Sequence, residues 1–255
     1  MRRTDHRQNR TGSAAANGAL RLWGKHAVTA ALANPERTLK RLWGTREALD
    51  ALVLPQGLPV SFAGVQDLAL MVAHGAPHQG LVAEVAPLPD RFLDEFLDPT
   101  ADDKRPLLLL DQVTDPQNVG AILRSAAAFD AVAIVTQDRH SPPESGVLAR
   151  AAAGALEMVP WLRVVNLARA MDEIAEGGYW RVGLTGEARQ SVAEAIGTTR
   201  PAIVLGAEGA GMRPNTADHC DQLAKLPINA RMESLNVSNA AAIALYAAAE
   251  LRGAS

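Results

Sequence analysis

Five polar residues stand in apolar or glycine-rich surroundings and carry groups that could do chemistry: Asn118, Arg124, Glu208, Ser234 and Asn236. In Asn118-Val-Gly-Ala-Ile-Leu-Arg-Ser-Ala-Ala-Ala-Phe129 the arginine interrupts an apolar helix pattern, so it needs an anionic partner. A planar guanidinium fork suits phosphate; a salt bridge to a surface carboxylate is the plainer alternative. Six residues separate Asn118 from Arg124, roughly 240° of helical rotation, so the two do not share a face. That spacing puts Asn118 at the helix cap, turned toward the preceding loop, and Gly120 allows close backbone approach. Glu208 lies in Gly206-Ala-Glu-Gly-Ala-Gly211, ordered G-x-x-G-x-G and following a late strand. The dinucleotide fingerprint has another order and follows an early strand. A carboxylate flanked by glycines is placed for access, although a plain tight turn would also use these residues. Ser234-Leu-Asn-Val-Ser238 opens the closing helix, with Ser234 a reasonable N-cap.

The elements that must position these residues alternate. Ala27–Leu32 reads as a short helix, Thr38–Trp43 as a strand, Arg46–Leu54 as a helix, Val60–Phe62 as a strand, Val65–Met71 as a helix and Leu81–Val85 as a strand. Residues 20–89 therefore form a small α/β domain. Residues 90–106, with an acidic helix Arg91–Leu97 and a cluster of prolines, read as a linker. Residues 1–19 are polar and basic without periodicity and read as a disordered arm. The second domain, 107–255, opens on Leu107–Leu110, an apolar run suited to a buried parallel strand. Helix Asn118–Phe129, strand Ala131–Val135, helical Leu148–Ala155 and extended Glu157–Pro160 follow. Then come a helix Leu167–Ala175 capped by Asn166, strand Trp180–Leu184, a short helix Val192–Ile196 and strand Ile203–Gly206. A short helix within Met212–Asp221, strand Lys225–Ile228 and the closing helix Leu235–Arg252 complete the pattern of a parallel sheet with covered faces.

Three of these segments, Asp111–Ser125, Leu205–Met212 and Leu226–Ser238, together resemble the three motifs of the SpoU family of RNA ribose methyltransferases, in the knotted SPOUT superfamily. Ala149–Pro160 and Asn166–Arg169 resemble the branch that methylates a guanosine of large-subunit rRNA. Trp23-Gly-Lys-His-Ala-Val28 and His78-Gln-Gly80 resemble that branch's ribosomal-protein-like substrate-binding domain. The resemblance runs from about residue 21 to the end. It implies an α/β fold whose C-terminal parallel-sheet domain carries a deep trefoil knot, with a small N-terminal α/β substrate-binding domain. It implies S-adenosyl-L-methionine as methyl donor, 23S rRNA as partner, and a homodimer through the methyltransferase domain. Gly206, Leu226 and Leu235 would contact the donor largely through backbone, with Leu205, Ala207 and Ile228 beside them. Asn118, Arg124, Glu208, Ser234 and Asn236 match the polar active-site positions. The family proposal makes the arginine the base. Arginine stays protonated, so Arg124 is better suited to position phosphate and hydroxyl, with Glu208 the competing acceptor. Ile228, Arg231 and Asn239 depart from the family pattern, and Arg231 could add a phosphate contact. A tRNA methyltransferase of the same family, or a catalytically silent RNA-binding protein of ribosome assembly, are the alternatives.

The bulk composition agrees. The 255 residues are 48% hydrophobic and 21% charged, with no apolar run long enough for a membrane span. A lone Cys220 excludes an internal disulfide framework and suits a reducing cytoplasm. Asp218-His219-Cys220 is a poor metal site without a second cysteine, and no metal is expected. The net charge of −3 hides an asymmetry. Residues 1–46 hold ten Lys/Arg against two Asp/Glu, and the rest hold fifteen against 26. A basic N-terminal part on an acidic body points to nucleic acid, or else to a solvated tail and helix face.

Overall fold

The computed structural model describes residues 19–229 and 231–253. The arm read for residues 1–19 lies outside them but for Ala19. The first sheet holds β1 (Arg21–Trp23), β2 (Leu39–Gly44), β3 (Val60–Phe62) and β4 (Leu81–Val85), in the order β1-β4-β2-β3. Strand β4 runs antiparallel to both neighbours, and β3 lies parallel to β2 at the edge. Helices α1 (Lys25–Ala33), α2 (Arg46–Asp50) and α3 (Val65–Leu70) connect them.

The second sheet holds β5 (Leu107–Leu110), β6 (Ala133–Gln137), β7 (Trp161–Val164), β8 (Trp180–Leu184), β9 (Pro201–Leu205) and β10 (Gln222–Ala224). Their order is β10-β8-β9-β5-β6-β7, and every pairing is parallel. The connecting helices are α4 (Pro116–Ala128), α5 (Gly146–Ala152), α6 (Leu167–Glu176), α7 (Val192–Ile196), α8 (Pro214–Asp218) and α9 (Val237–Gly253). Parallel strands require crossovers, and the crossover helices cover both faces. Alternation along the buried strands shows it. Leu108, Leu110, Ile134, Ile203 and Leu205 join the core beneath α4 and α9, while Leu107, Leu109, Val135 and Val204 pack against α6. The stripe Leu167, Ala170, Met171 and Ile174 gives α6 its buried face at helical spacing. Among the described residues no helix is long and apolar enough to cross a membrane.

Several boundaries differ from the sequence reading, each for a local reason. Asn166 caps α6 as expected, its side chain accepting from the Arg169 amide at 3.2 Å. The acidic helix expected at Arg91–Leu97 is a single 3-10 turn, Leu93–Phe96, and another, Ala155–Glu157, ends on the first residue of the segment expected as extended, Glu157–Pro160. The strand β10 falls at Gln222–Ala224 rather than Lys225–Ile228, because Pro227 lacks a ladder donor and residues 226–229 and 231–236 are irregular. The short helix expected within Met212–Asp221 is α8, started by Pro214 in its first turn. The strands β1 and β7 carry no alternation that marks them.

The two sheets share one continuous apolar core, in which Leu22, Val28 and Leu42 join Leu148 and Leu156. Gly146 begins α5 directly under Trp23, where a Cβ would lie 1.9 Å from the Trp23 ring. Beside this contact Arg37 is buried, with its side chain fully inaccessible. Its Nη2 and Nε donate to Glu157 at 2.7 and 3.1 Å, and its Nη1 donates to Glu144 at 2.6 Å and to the Ala86 carbonyl at 2.8 Å. Asn34 Nδ2 also donates to Glu157, at 2.8 Å, and the Leu88 amide donates to Glu144 at 3.1 Å. Burial works against the guanidinium charge, but hydrogen bonds and attraction from Glu157 and Glu144 outweigh it and raise the Arg37 pKa. Removing one partner of such a buried set strands the others, at a cost of about 3–5 kcal/mol. Arg37→Ala is expected to lose that much stability in urea unfolding. Arg91→Ala, which removes exposed pairs to Glu36 and Glu95 and a contact over the Phe96 ring, should lose no more than about 1 kcal/mol. Equal losses would show that the Arg37 cluster does not join the two sheets.

Candidate functional site

Two strand ends form the floor of the site. Strand β5 is fully buried and ends at Asp111, which is itself inaccessible. Strand β9, next to it, ends at Leu205, whose carbonyl accepts the Asp111 amide at 2.8 Å. A buried carboxylate must be paired, and Arg213, at the far end of the glycine loop, pairs it. The Arg213 amide donates to Asp111 Oδ2 at 2.9 Å, and its Nε donates to Oδ1 at 2.8 Å. Arg213 Nη2 also reaches Gln137 at 2.8 Å, which ties in the end of β6. Neither Asp111 nor Arg213 stood out in the sequence, because nothing local marks a pair 102 residues apart.

Between Gly206 and Arg213 the chain folds back on itself. Ala207 and Gly211 exchange backbone hydrogen bonds at 3.1 and 2.9 Å, with Gly209 and Gly211 at φ of 79° and 70°. Only glycine takes those values without strain. A Cβ at Gly206 would lie 2.0 Å from the Gly211 carbonyl carbon and 2.1 Å from the Met212 nitrogen. The loop therefore packs against bare backbone, and Glu208 is left exposed at its tip.

The cap of α4 is Asp115 rather than Asn118. The Asp115 side chain accepts from the Gln117 amide at 3.0 Å, and Pro116 occupies the first helical position. Asn118 lies in the first turn, half-buried. Gly120 serves helix packing, since a Cβ there would lie 2.5 Å from the Leu148 carbonyl of α5. The cap expected at Ser234 falls at Asn236. The Asn236 Oδ1 accepts from the Ser238 amide at 2.9 Å and from its hydroxyl at 2.5 Å. An amide N–H can only donate, so this fixes the carboxamide with its nitrogen turned away. That nitrogen donates to Asn118 Oδ1 at 3.1 Å and toward Glu208 Oε2 at 3.5 Å. Three expected residues from three distant segments thus form one hydrogen-bonded group. It leaves the Asn118 nitrogen and Glu208 Oε1 with no hydrogen bond among the described residues.

The other expected residues stand apart from this group. Ser234 is exposed and makes no hydrogen bond with a described residue. Arg124 is exposed on α4, one and two-thirds turns beyond Asn118, and forms no ion pair among the described residues, so no surface carboxylate claims it. It faces a cleft shared with His26, Gln79 and Arg150. Leu226 is half-buried and packs on the core cluster that contains Leu205 and Val237, while Ile228 is exposed and Leu235 half-buried. Leu205 is buried, so only its backbone is available, and Ala207 already uses its amide and carbonyl in the loop. Cys220 offers no nucleophile, because burial, opposed in part by Arg181, pushes its thiol pKa up to about 12. Among the described residues no cluster of three His, Cys, Asp or Glu could hold a metal.

A family model described as SpoU rRNA Methylase family matches residues 105–246, and one described as RNA 2′-O ribose methyltransferase substrate binding matches residues 21–91. The chain is similar to the 23S rRNA (guanosine-2′-O-)-methyltransferase RlmB of Vibrio vulnificus, 41% identical over 245 residues that cover 92% of this chain and 98% of that protein. It is 38% identical to RlmB of Escherichia coli over 239 residues, 91% of this chain and 98% of that one. The solved SpoU methyltransferase AviRb from Streptomyces viridochromogenes shares the fold with a TM-score of 0.76 at 22% identity, over 93% of this chain and 91% of that one. Its complex with the cofactor AdoMet gives 0.75 at 24% identity, over 93% and 92%.

Two outcomes are expected. Gly206→Ala forces the loop off its backbone contacts, so it should speed amide exchange over residues 207–212 and cost about 1–3 kcal/mol in thermal unfolding. Cys220, protonated at pH 8, should react slowly with iodoacetamide in the native protein and faster once urea unfolds it; fast native labelling would contradict the raised thiol pKa.

Proposed function

The chain belongs to the SpoU rRNA methylase family, and on that footing we propose that it methylates the ribose 2′-oxygen of a guanosine in 23S rRNA, with S-adenosylmethionine as donor. The observation that carries this reading is the hydrogen-bonded group of Asn118, Asn236 and Glu208, drawn from the first turn of α4 and from two separate loops to the ends of the adjacent parallel strands β5 and β9. Ligands of open α/β sheets bind outside the carboxyl ends of the strands. The residues present suit the cofactor: Leu226, Ile228 and Leu235 offer accessible apolar side chains and the Gly206 loop offers bare backbone, as an adenosine and a methionine chain require. Leu205 and Ala207 flank Gly206 in that wall and hold its backbone in place through their bonds to Asp111 and Gly211.

S-adenosylmethionine, when bound, supplies an electrophilic methyl group on a sulfonium sulfur. The protein must hold the ribose hydroxyl in line with it, take up the hydroxyl proton and exclude water. The free nitrogen of Asn118 is available to orient the ribose, with Asn236 holding Asn118 in register. Glu208 is the carboxylate joined to the group, and its free oxygen can accept the proton. Arg124 keeps its charge and pairs with phosphate, which positions the nucleotide.

The family's trefoil knot belongs to this reading. The strand order, in which β9 inserts beside β5 and β10 adds beyond β8, supports it. So does the homodimer, for which α9 offers Ile243 and Tyr246 exposed on one face. Residues 20–89 act as the substrate-binding domain, joined through 90–106 to a catalytic domain of 107–255, in the cytoplasm. Ser234 completes the active-site set from the exposed side.

Arg124→Ala is expected to lower methyl transfer to a 23S rRNA transcript about 10²-fold or more, with the donor affinity unchanged by calorimetry. Wild-type turnover in that variant would overturn the role of Arg124. Absence of donor binding by the native chain would overturn the methyltransferase reading. Ile243→Glu should shift the chain toward monomer in size-exclusion chromatography.

A further inference from the structure

We propose that Arg150, His26 and Gln79 form, together with Arg124, a clasp for an RNA backbone phosphate next to the methylated nucleotide. The inference rests on the reading of the chain as an RNA methyltransferase and adds residues to its substrate site.

A cleft of about 350 Å³ opens where the first sheet meets the second, lined by His26, Gln79, Arg124, Arg150 and Ala153. Two of these residues come from the first sheet's connections and three from α4 and α5. None is acidic. The Arg150 Nε is buried without a hydrogen-bond acceptor among the described residues, and neither arginine has an ion-pair partner there. A buried guanidinium N–H left unmade is costly and calls for an explanation. Three other arginines, Arg37, Arg181 and Arg213, each meet a carboxylate within 2.8 Å, and Arg21 and Arg200, whose Nε atoms are also unsatisfied, donate through Nη1 to backbone carbonyls. Two unpaired guanidiniums in one cleft repel each other until an anion lies between them, and a phosphodiester accepts from both.

The cleft is also built to approach closely. Helix α1 begins there, with Lys25 and His26 as its first two residues, so its positive end adds to the field. Gly24 stands before it at φ 88°, and a Cβ at that position would lie 3.0 Å from Arg150 Cδ and 3.2 Å from both Arg150 Nε and Gln79 Oε1. Gln79 holds φ 52° and caps α1, its Oε1 accepting from the Lys25 amide at 3.0 Å. That bond turns its carboxamide nitrogen away, free to donate. His26 and Gln79, from segments distant in sequence, thus border one cleft with Arg124. The clasp joins the substrate-binding part to the helix that carries Asn118.

The test measures binding of a fluorescent 23S rRNA transcript, without donor, across a salt series. Arg150→Ala should weaken binding about tenfold and reduce the log–log salt slope by about one. Arg150→Lys should restore the slope while recovering only part of the affinity, because it keeps the charge and loses the fork. In turnover, Arg150→Ala should raise the RNA KM with the donor affinity unchanged. A folded Arg150→Ala with wild-type RNA affinity and slope would overturn the clasp. If that variant unfolds, the double variant His26→Ala, Gln79→Ala decides, since both side chains are exposed: weaker RNA binding supports the clasp and unchanged binding overturns it. A native protein that binds RNA but transfers no methyl group would strike the methyltransferase reading instead, and the donor-free affinities would still judge the clasp.

Discussion

The buried cluster around Arg37 is the constraint on which the working geometry depends. A guanidinium removed from water is tolerable only if its donors are satisfied and its charge is met. Glu157 and Glu144 do both, and they belong to the second sheet's connections while Arg37 belongs to the first. Once that pairing forms, the two sheets have one relative placement, because a shift of an ångström would leave charge unpaired in the interior. Gly146 beneath the Trp23 ring enforces the same placement by contact. The cleft between α1 and α5 inherits its width from these two features.

A second buried charge does the same for the donor side. Asp111 and Arg213 fasten the start of one loop to the end of another, across the junction of β5 and β9. The glycine loop between Gly206 and Arg213 is held at both ends and packed on its own backbone. Glu208 therefore has a fixed base with a free tip. Asn236 then acts twice: its oxygen caps α9 while its nitrogen binds Asn118 and Glu208. A residue whose two ends have separate obligations cannot rotate, so the polar group is ordered before any ligand arrives.

Much of this was legible in the sequence where the signal is local. The buried strands announced themselves as apolar runs, the Asn166 cap as a residue type at a helix start, and the polar residues at 118, 208 and 236 as groups out of keeping with their neighbours. The failures were of two kinds. Boundaries moved where proline or a competing side chain decided the register, as at Asp115, Pro227 and Asn236. Long-range partners stayed invisible: no pattern within a few residues links Arg37 to Glu157 or Asp111 to Arg213. The spacing argument correctly separated Arg124 from Asn118, but it could not show that Arg124 shares a cleft with Arg150 and forms no ion pair among the described residues.

The strand order has a consequence for how the molecule comes into being. Strand β5 is flanked by β6, which follows it closely, and by β9, which follows roughly 90 residues later. At ribosomal speeds of about 5–20 residues per second, one edge of a fully apolar strand waits on the order of 5–20 s for its neighbour. Such late, distant pairings slow folding and leave an adhesive edge exposed meanwhile. The nascent chain thus has a window in which its half-built sheet is the most aggregation-prone object it will ever present, and chaperone demand should concentrate there.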